Sequence, residues 1–88
     1  MNELGFGNLN GTVVDNFGNA LPGAIVTATG PGGPHVRGSD GNGEFSFDEI
    51  EVGSYTVEAQ LGRFQSVIEQ GVGVYRFQTT QIKLAVKL

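Results

Sequence analysis

Cysteine is absent from the 88-residue sequence, as is tryptophan, and histidine occurs once. Without cysteine there is no disulfide to staple a small fold, no thiol nucleophile and no thiolate metal site. A chain of this length buries only roughly 60% of the surface its unfolded form exposes, which leaves little room for a deep catalytic cleft. Basic residues are few: five, against nine acidic ones, for a net charge of −4. Arg37, Arg63, Arg76, Lys83 and Lys87 are scattered along the chain. Phosphate binding needs such residues clustered, so no nucleic-acid partner is expected. No apolar run approaches the roughly 20 residues of a membrane-spanning helix, so no membrane insertion is expected. The opening MNELGFGNLN has neither a basic n-region nor an apolar h-region, and does not read as a signal peptide. In a secreted protein the signal would have been trimmed, or this would be part of a longer chain.

Glycine, by contrast, is plentiful: fifteen residues, about twice average usage, punctuating short apolar stretches. No segment sustains a helical i, i+3, i+4 pattern, whereas period-two alternation recurs. At the C-terminus, QIKLAVKL places Ile82, Leu84, Val86 and Leu88 on one face and Lys83, Ala85 and Lys87 on the other. The same reading predicts strands over 9–15, 24–30, 35–39, 44–47, 53–60 and 64–74, with 35–39 a weak edge strand. PGGP (31–34) is expected to be a loop, because proline cannot donate to a ladder. Gly71 and Gly73 are the expected bulge positions of the long sixth strand. About seven strands at short intervals predict an all-β fold, an antiparallel β-sandwich.

The residues that set this pattern also carry a resemblance. Gly11-x-Val13-x-Asp15, Gly18, Leu21-Pro22-Gly23-Ala24-x-Val26, Asp40-x-x-Gly43-x-Phe45, Gly53-x-Tyr55 and Gly62-x-Phe64 together resemble the carboxypeptidase regulatory-like domain. The resemblance runs from about residue 9 onward and implies a transthyretin-like sandwich of about seven strands. Residues 1–8 then form an N-terminal extension and 9–88 the domain. Such domains accompany secreted enzymes, surface proteins and outer-membrane receptors, so the implied location is extracellular, cell-surface or periplasmic. The transthyretin-like fold also includes 5-hydroxyisourate hydrolase, with several histidines and a C-terminal Tyr-Arg-Gly-Ser. Here YRFQ (75–78) departs from that motif after two residues. The related collagen-adhesin B-type domains cross-link a first-strand lysine to a last-strand Asn or Asp beside a buried acid. Glu58 resembles the acid, but the lysine and its partner are both missing, and no cross-link is expected.

Several residue groups could carry chemistry. SDGNGEFSF (39–47) places oxygen side chains at Asp40, Asn42 and Glu44, like the start of a calcium loop. A calcium-binding loop of that kind needs twelve residues and a bidentate acid at its end, and here Glu44 runs straight into a strand-like FSF. Asp40 capping a glycine-rich hairpin fits better, so no metal or cofactor is expected. Asp48, Glu49 and Glu51 are expected on the following loop as solvated charges. His35, after Pro34, is expected to be exposed, with no nucleophile motif to partner it. Phe45, Phe47 and Tyr55 read as core, whereas Phe17, Phe64, Tyr75 and Phe77 are candidate stacking platforms. Exposed aromatics are typical anchors of interfaces. Leu4 and Phe6 precede the family-like region, where they could add a strand to a neighbour's sheet.

The sequence therefore predicts a non-catalytic structural or protein-interaction module. Leu4, Phe6, Phe17, Tyr75 and Phe77 form its candidate surface, and the partner is a protein, including a second copy assembled through sheet edges or the N-terminal segment. A carbohydrate-binding accessory domain is the alternative.

Overall fold

The computed structural model describes residues 5–87. Seven strands follow in order: β1 (Phe6–Val14), β2 (Ile25–Gly30), β3 (Gly33–Gly38), β4 (Glu44–Glu51), β5 (Gly53–Gln60), β6 (Val67–Val74) and β7 (Thr79–Ala85). They form a three-stranded sheet, β4-β1-β7, facing a four-stranded sheet, β3-β2-β5-β6. All pairings are antiparallel except β1 with β7, which run side by side in parallel. The alternation seen in the sequence sets the core. Leu9 and Val13, Val26 and Ala28, Phe45 and Phe47, Tyr55, Val57 and Ala59, and Leu84 and Val86 are all buried between the sheets.

Several local expectations are corrected. Only Pro31 and Gly32 form the turn between β2 and β3; Gly33 and Pro34 belong to β3, where Pro34 pairs with Thr29. An edge strand tolerates the missing donor. β4 runs on to Glu51, so Asp48, Glu49 and Glu51 lie on a strand and not on a loop. β6 starts at Val67, and Phe64 packs against the core instead of offering a stacking face. The β6 bulge sits at Gln70–Gly71 opposite Thr56, with Gly71 at φ +70°. Gly73 is a regular strand residue whose missing Cβ leaves room for the Tyr75 ring.

One end of the sandwich is closed twice by the same device. Asp15 Oδ1 accepts the Phe17 and Asn19 amides at 2.8 and 2.9 Å. Asp40 Oδ1 accepts the Asn42 and Glu44 amides, both at 2.9 Å. In each loop the amide three residues on from the Asp bonds its carbonyl, and the Asp amide bonds the carbonyl four residues on. The residue at the third position is glycine both times, Gly18 at φ +89° and Gly43 at φ +75°, a conformation that L side chains rarely adopt. The two loops meet through β1: the Val13 amide donates to Gly43 O at 2.7 Å, and the Val13 carbonyl accepts from Leu21 at 2.9 Å. Beside them the buried Ser39 hydroxyl donates to Leu21 O at 2.7 Å and accepts the Ala24 amide at 2.8 Å. The SDGNGEFSF stretch is thus a hairpin whose leading carboxylate oxygen is bonded to its own backbone.

Those hydrogen bonds, chiefly from the Asn19 amide and side chain, hold the Asp15 carboxyl below its ordinary value of 3.8. A carboxyl depressed in the folded state contributes stability above its unfolded value, and that contribution is lost as pH falls through the lower folded value. Urea unfolding midpoints should therefore fall as pH drops past 3.8, and Asp15→Asn should remove part of that dependence; an unchanged pH profile in the variant would contradict the assignment. Asp40→Ala should lower stability at neutral pH by about 1 kcal/mol, as loss of a comparable backbone cap does, in the same urea measurement.

Candidate interaction surface

The opposite end of the sandwich is built differently. β1 enters it at Phe6, between the end of β4 on one side and the β6–β7 turn (75–78) on the other. The Val52 amide bonds Gly5 O at 3.2 Å, the Phe77 amide bonds Phe6 O at 3.1 Å, and the Asn8 amide bonds Gln78 O at 2.9 Å. The start of β1 is therefore clamped on both flanks. Two glycines make the close approach possible: a Cβ on Gly7 would collide with the Tyr75 carbonyl, and one on Gly5 would crowd the Arg76 side chain.

Between these walls lies a groove of about 500 Å³ lined by Gly5, Phe6, Gly7, Asn8, Glu49, Arg76 and Phe77. Phe77 is 88% exposed and Phe6 55%, and neighbouring Tyr75 is 57% exposed. The Arg76 guanidinium stacks 5.3 Å from the Phe77 ring centroid, a cation–π contact that orients both side chains. Glu49 lies on the other wall. Asp48 and Glu49 together oppose Asn8 in a β-bulge, and Asn8 Oδ1 accepts the Glu49 amide at 2.8 Å.

Two residues of this groove hold strained backbone. Glu49 has φ +55° and Phe77 φ +60°, the two non-glycine residues with positive φ among the described ones. The bulge in β6 assigns the equivalent conformation to Gly71. Such strain costs about 1–3 kcal/mol and persists where the surroundings impose it, often beside functional sites. Sequence reasoning missed Glu49. The signal was the phase of β4: Phe45 and Phe47 point inward, but the next inward residue is Ile50 instead of residue 49, so one extra residue lies between.

The structure brings Phe6, Tyr75 and Phe77 to one end and leaves Phe17 at the other. Phe17 is 83% exposed in the Asp15–Asn19 loop beyond the far end of β1, whose last residue, Val14, lies eight residues from Phe6, or roughly 26 Å along a strand. Leu4 lies outside the described residues. His35 is not exposed as expected: it is half-buried at the seam between the sheets, its ring 6.4 Å from Phe47 and 6.2 Å from Tyr55. Its Nε2 has no hydrogen-bond partner among the described residues. No three His, Asp or Glu side chains gather to hold a metal among those residues. Glu58 pairs across the outer face with Thr27 and Ile68 and bonds Gln60, away from the core.

The free edge of β3 is blunted against strand addition. Pro34 offers no amide, and Arg37 Nη1 donates to the Val36 carbonyl at 2.8 Å.

The family model for the carboxypeptidase regulatory-like domain matches residues 8–87. No curated protein matches the sequence. Among solved structures, the Bacillus anthracis TIE protein superposes with a TM-score of 0.81 at 14% identity, over 94% of this chain and 16% of that one. A Bacteroides uniformis protein described provisionally as a carbohydrate binding protein gives 0.70 at 15% identity, over 90% and 40%. A Pseudomonas aeruginosa protein described in the same provisional terms gives 0.68 at 18% identity, over 96% and 90%. These likenesses establish the shared sandwich. The chain spans 16% and 40% of the first two proteins, a module's share of each.

Replacing the strained Glu49 tests the bulge. Glu49→Gly should raise stability by about 0.5–1 kcal/mol, and the β-branched Glu49→Val should lower it by about 1–2 kcal/mol. Urea denaturation reads both; a Gly variant less stable than the Val variant would show that the backbone there is not strained.

Proposed function

Because this chain belongs to the carboxypeptidase regulatory-like domain family, we propose that it serves as a non-catalytic interaction module of an extracellular or cell-surface protein. It engages a protein partner through the end of the sandwich that carries Phe6, Tyr75 and Phe77. The observation that carries this reading is the Phe77 ring, 88% exposed on a turn with strained backbone and clamped to β1. Leaving a large apolar ring in water on a rigid frame is unfavourable by itself, and it suits an anchor that a partner covers.

The absence of catalysis is part of the proposal. The single histidine packs against two core aromatics and is not among the residues lining the groove. The groove supplies charge and apolar surface but no hydroxyl or thiol nucleophile among its lining residues. The blunted β3 edge disfavours strand addition at that strand.

A carbohydrate ligand is the second reading. It draws on the neighbours described provisionally as carbohydrate binding, and on a groove that sets an aromatic face beside Arg76, Glu49 and Asn8.

The test is a binding survey of the chain against displayed proteins and against a glycan array, repeated with Phe77→Ser, Tyr75→Ala and Phe17→Ala. The proposal expects a protein ligand whose affinity falls at least about tenfold in Phe77→Ser and is unchanged in Phe17→Ala. Glycan binding lost in Phe77→Ser or Tyr75→Ala would move the assignment to carbohydrate. Turnover of any substrate abolished by His35→Ala would overturn the non-catalytic reading.

A further inference from the structure

We infer that the partner at this end is a second copy of the chain, docked about a twofold axis running along the Phe6–Phe77 groove. In that arrangement Arg76 of each copy faces Glu49 of the other, and the two Phe77 rings pack against apolar surface at the centre. The inference rests on the reading above that this end is an interaction surface, and it specifies what binds there.

A twofold interface uses the same patch on both subunits, so the patch must complement itself: whatever residue i meets, it must also be met by. The groove has that composition. One wall, the β6–β7 turn, carries the cation Arg76; the opposite wall, the end of β4, carries the anion Glu49; both are exposed. A twofold rotation about an axis running along the groove exchanges the walls, so each cation is presented to an anion. The apolar component is Phe6, on the start of β1 between the walls, and Phe77, on the turn beside Arg76. A core of aromatic anchors inside charged flanks is the usual anatomy of a protein interface.

Charge elsewhere on the chain favours this end for self-contact. The chain carries −4 overall, and two copies repel wherever like charges meet. The second groove, on the outer face of the three-stranded sheet, is lined by Asp40 and Glu44 with no basic residue. The Phe6–Phe77 groove has one charge of each sign and no excess. Strand addition at β3 is blocked by Pro34 and by the Arg37 bond to Val36 O. The groove is also rigid: its walls are clamped by the bonds from Val52, Phe77 and Asn8, so little order is lost on docking. A contact limited to one end of so small a chain falls in the size range of weak, concentration-dependent association.

Sedimentation velocity across a concentration series tests the inference, with two-dimensional amide NMR spectra confirming that each variant is folded. The wild-type chain should show a reversible monomer–dimer equilibrium, and Phe77→Ser should be monomeric. Arg76→Glu and Glu49→Arg should each weaken the dimer at least about tenfold, and the two together should restore most of it, because each reversed charge again meets its opposite. A wild-type chain that stays monomeric at high concentration would overturn the inference, as would dimers insensitive to these changes or a double reversal without rescue. A monomeric chain that still binds another protein or a glycan through Phe77 would remove the homodimer but leave the interaction surface. Loss of neither property in Phe77→Ser would remove both.

Discussion

One carboxylate oxygen bonded to two backbone amides, repeated at Asp15 and at Asp40, is the constraint on which the rest of this fold depends. Each bond set reverses the chain within five residues without any help from the core. β1 runs into one of these loops and is bonded to the other through Val13, so the paired loops fix the register of β1 against β4. β1 is the central strand of its sheet, with β4 and β7 on its two sides. Register errors there would turn Leu9 and Val13 out of the core, since a one-residue slip exchanges the faces of a strand. A chain with no disulfide has no covalent substitute for this closure. The same constraint accounts for the resemblance of SDGNGEFSF to a calcium loop. Oxygen atoms at alternate positions beside glycines suit a cation, and they equally suit a turn in which one oxygen is bonded to backbone amides. Here Asp40 Oδ1 is already occupied by two of them.

The two ends of the sandwich differ in how they resolve backbone geometry. At the carboxylate-closed end, positive φ falls on Gly18, Gly23 and Gly43, where it costs little. At the aromatic end it falls on Gly5 and Gly53 but also on Glu49 and Phe77, where it costs more and a glycine would relieve it. The side chains at those two positions line one groove from opposite walls. Strain accepted at both walls of a single groove, with glycine used freely elsewhere in the same chain, sets that end apart from the turns that only reverse direction. The Tyr55 hydroxyl adds a fixed point between core and surface. It donates to Glu51 O at 2.6 Å, tying the end of β4 to β5, and burial together with the nearby Glu51 charge raises its pKa.

The sandwich was legible because its determinants are local. Alternation in β2, β5 and β7 gives the faces directly, and D-x-x-G marks both carboxylate loops in plain sequence. The equivalence of Asp15–Asn19 to Asp40–Glu44 was visible as a repeated spacing, although only the second instance attracts notice, because its extra oxygens look like a metal site. Other features depend on partners distant in sequence. Pro34 enters β3 because β2 supplies an antiparallel neighbour and the outer edge is free. His35 is half-buried because Phe47 and Tyr55 converge on the seam. The grouping of Phe6 with Phe77, seventy-one residues apart by number, arises from the parallel pairing of β1 with β7, which brings the turn before β7 alongside the start of β1. Nothing in either segment announces that meeting.

This division explains why fold and partner are unequally written in the chain. The residues that carry the family resemblance, from Gly11 to Phe64, are turn-formers and core side chains, and they fix the sandwich whatever it binds. Phe6, Glu49, Arg76 and Phe77 stand outside that set. All four occupy positions where the fold needs only a backbone: the first residue of a strand, one residue of a bulge, two residues of a turn. At such positions side-chain identity is free to follow a binding requirement, since changing it leaves the core intact. Two of the four hold a conformation that glycine would adopt with less strain. Under the proposed interaction surface, a side chain held against that preference is accounted for by a contact outside the chain, and the opposite charges on the two walls suit a surface that presents both signs.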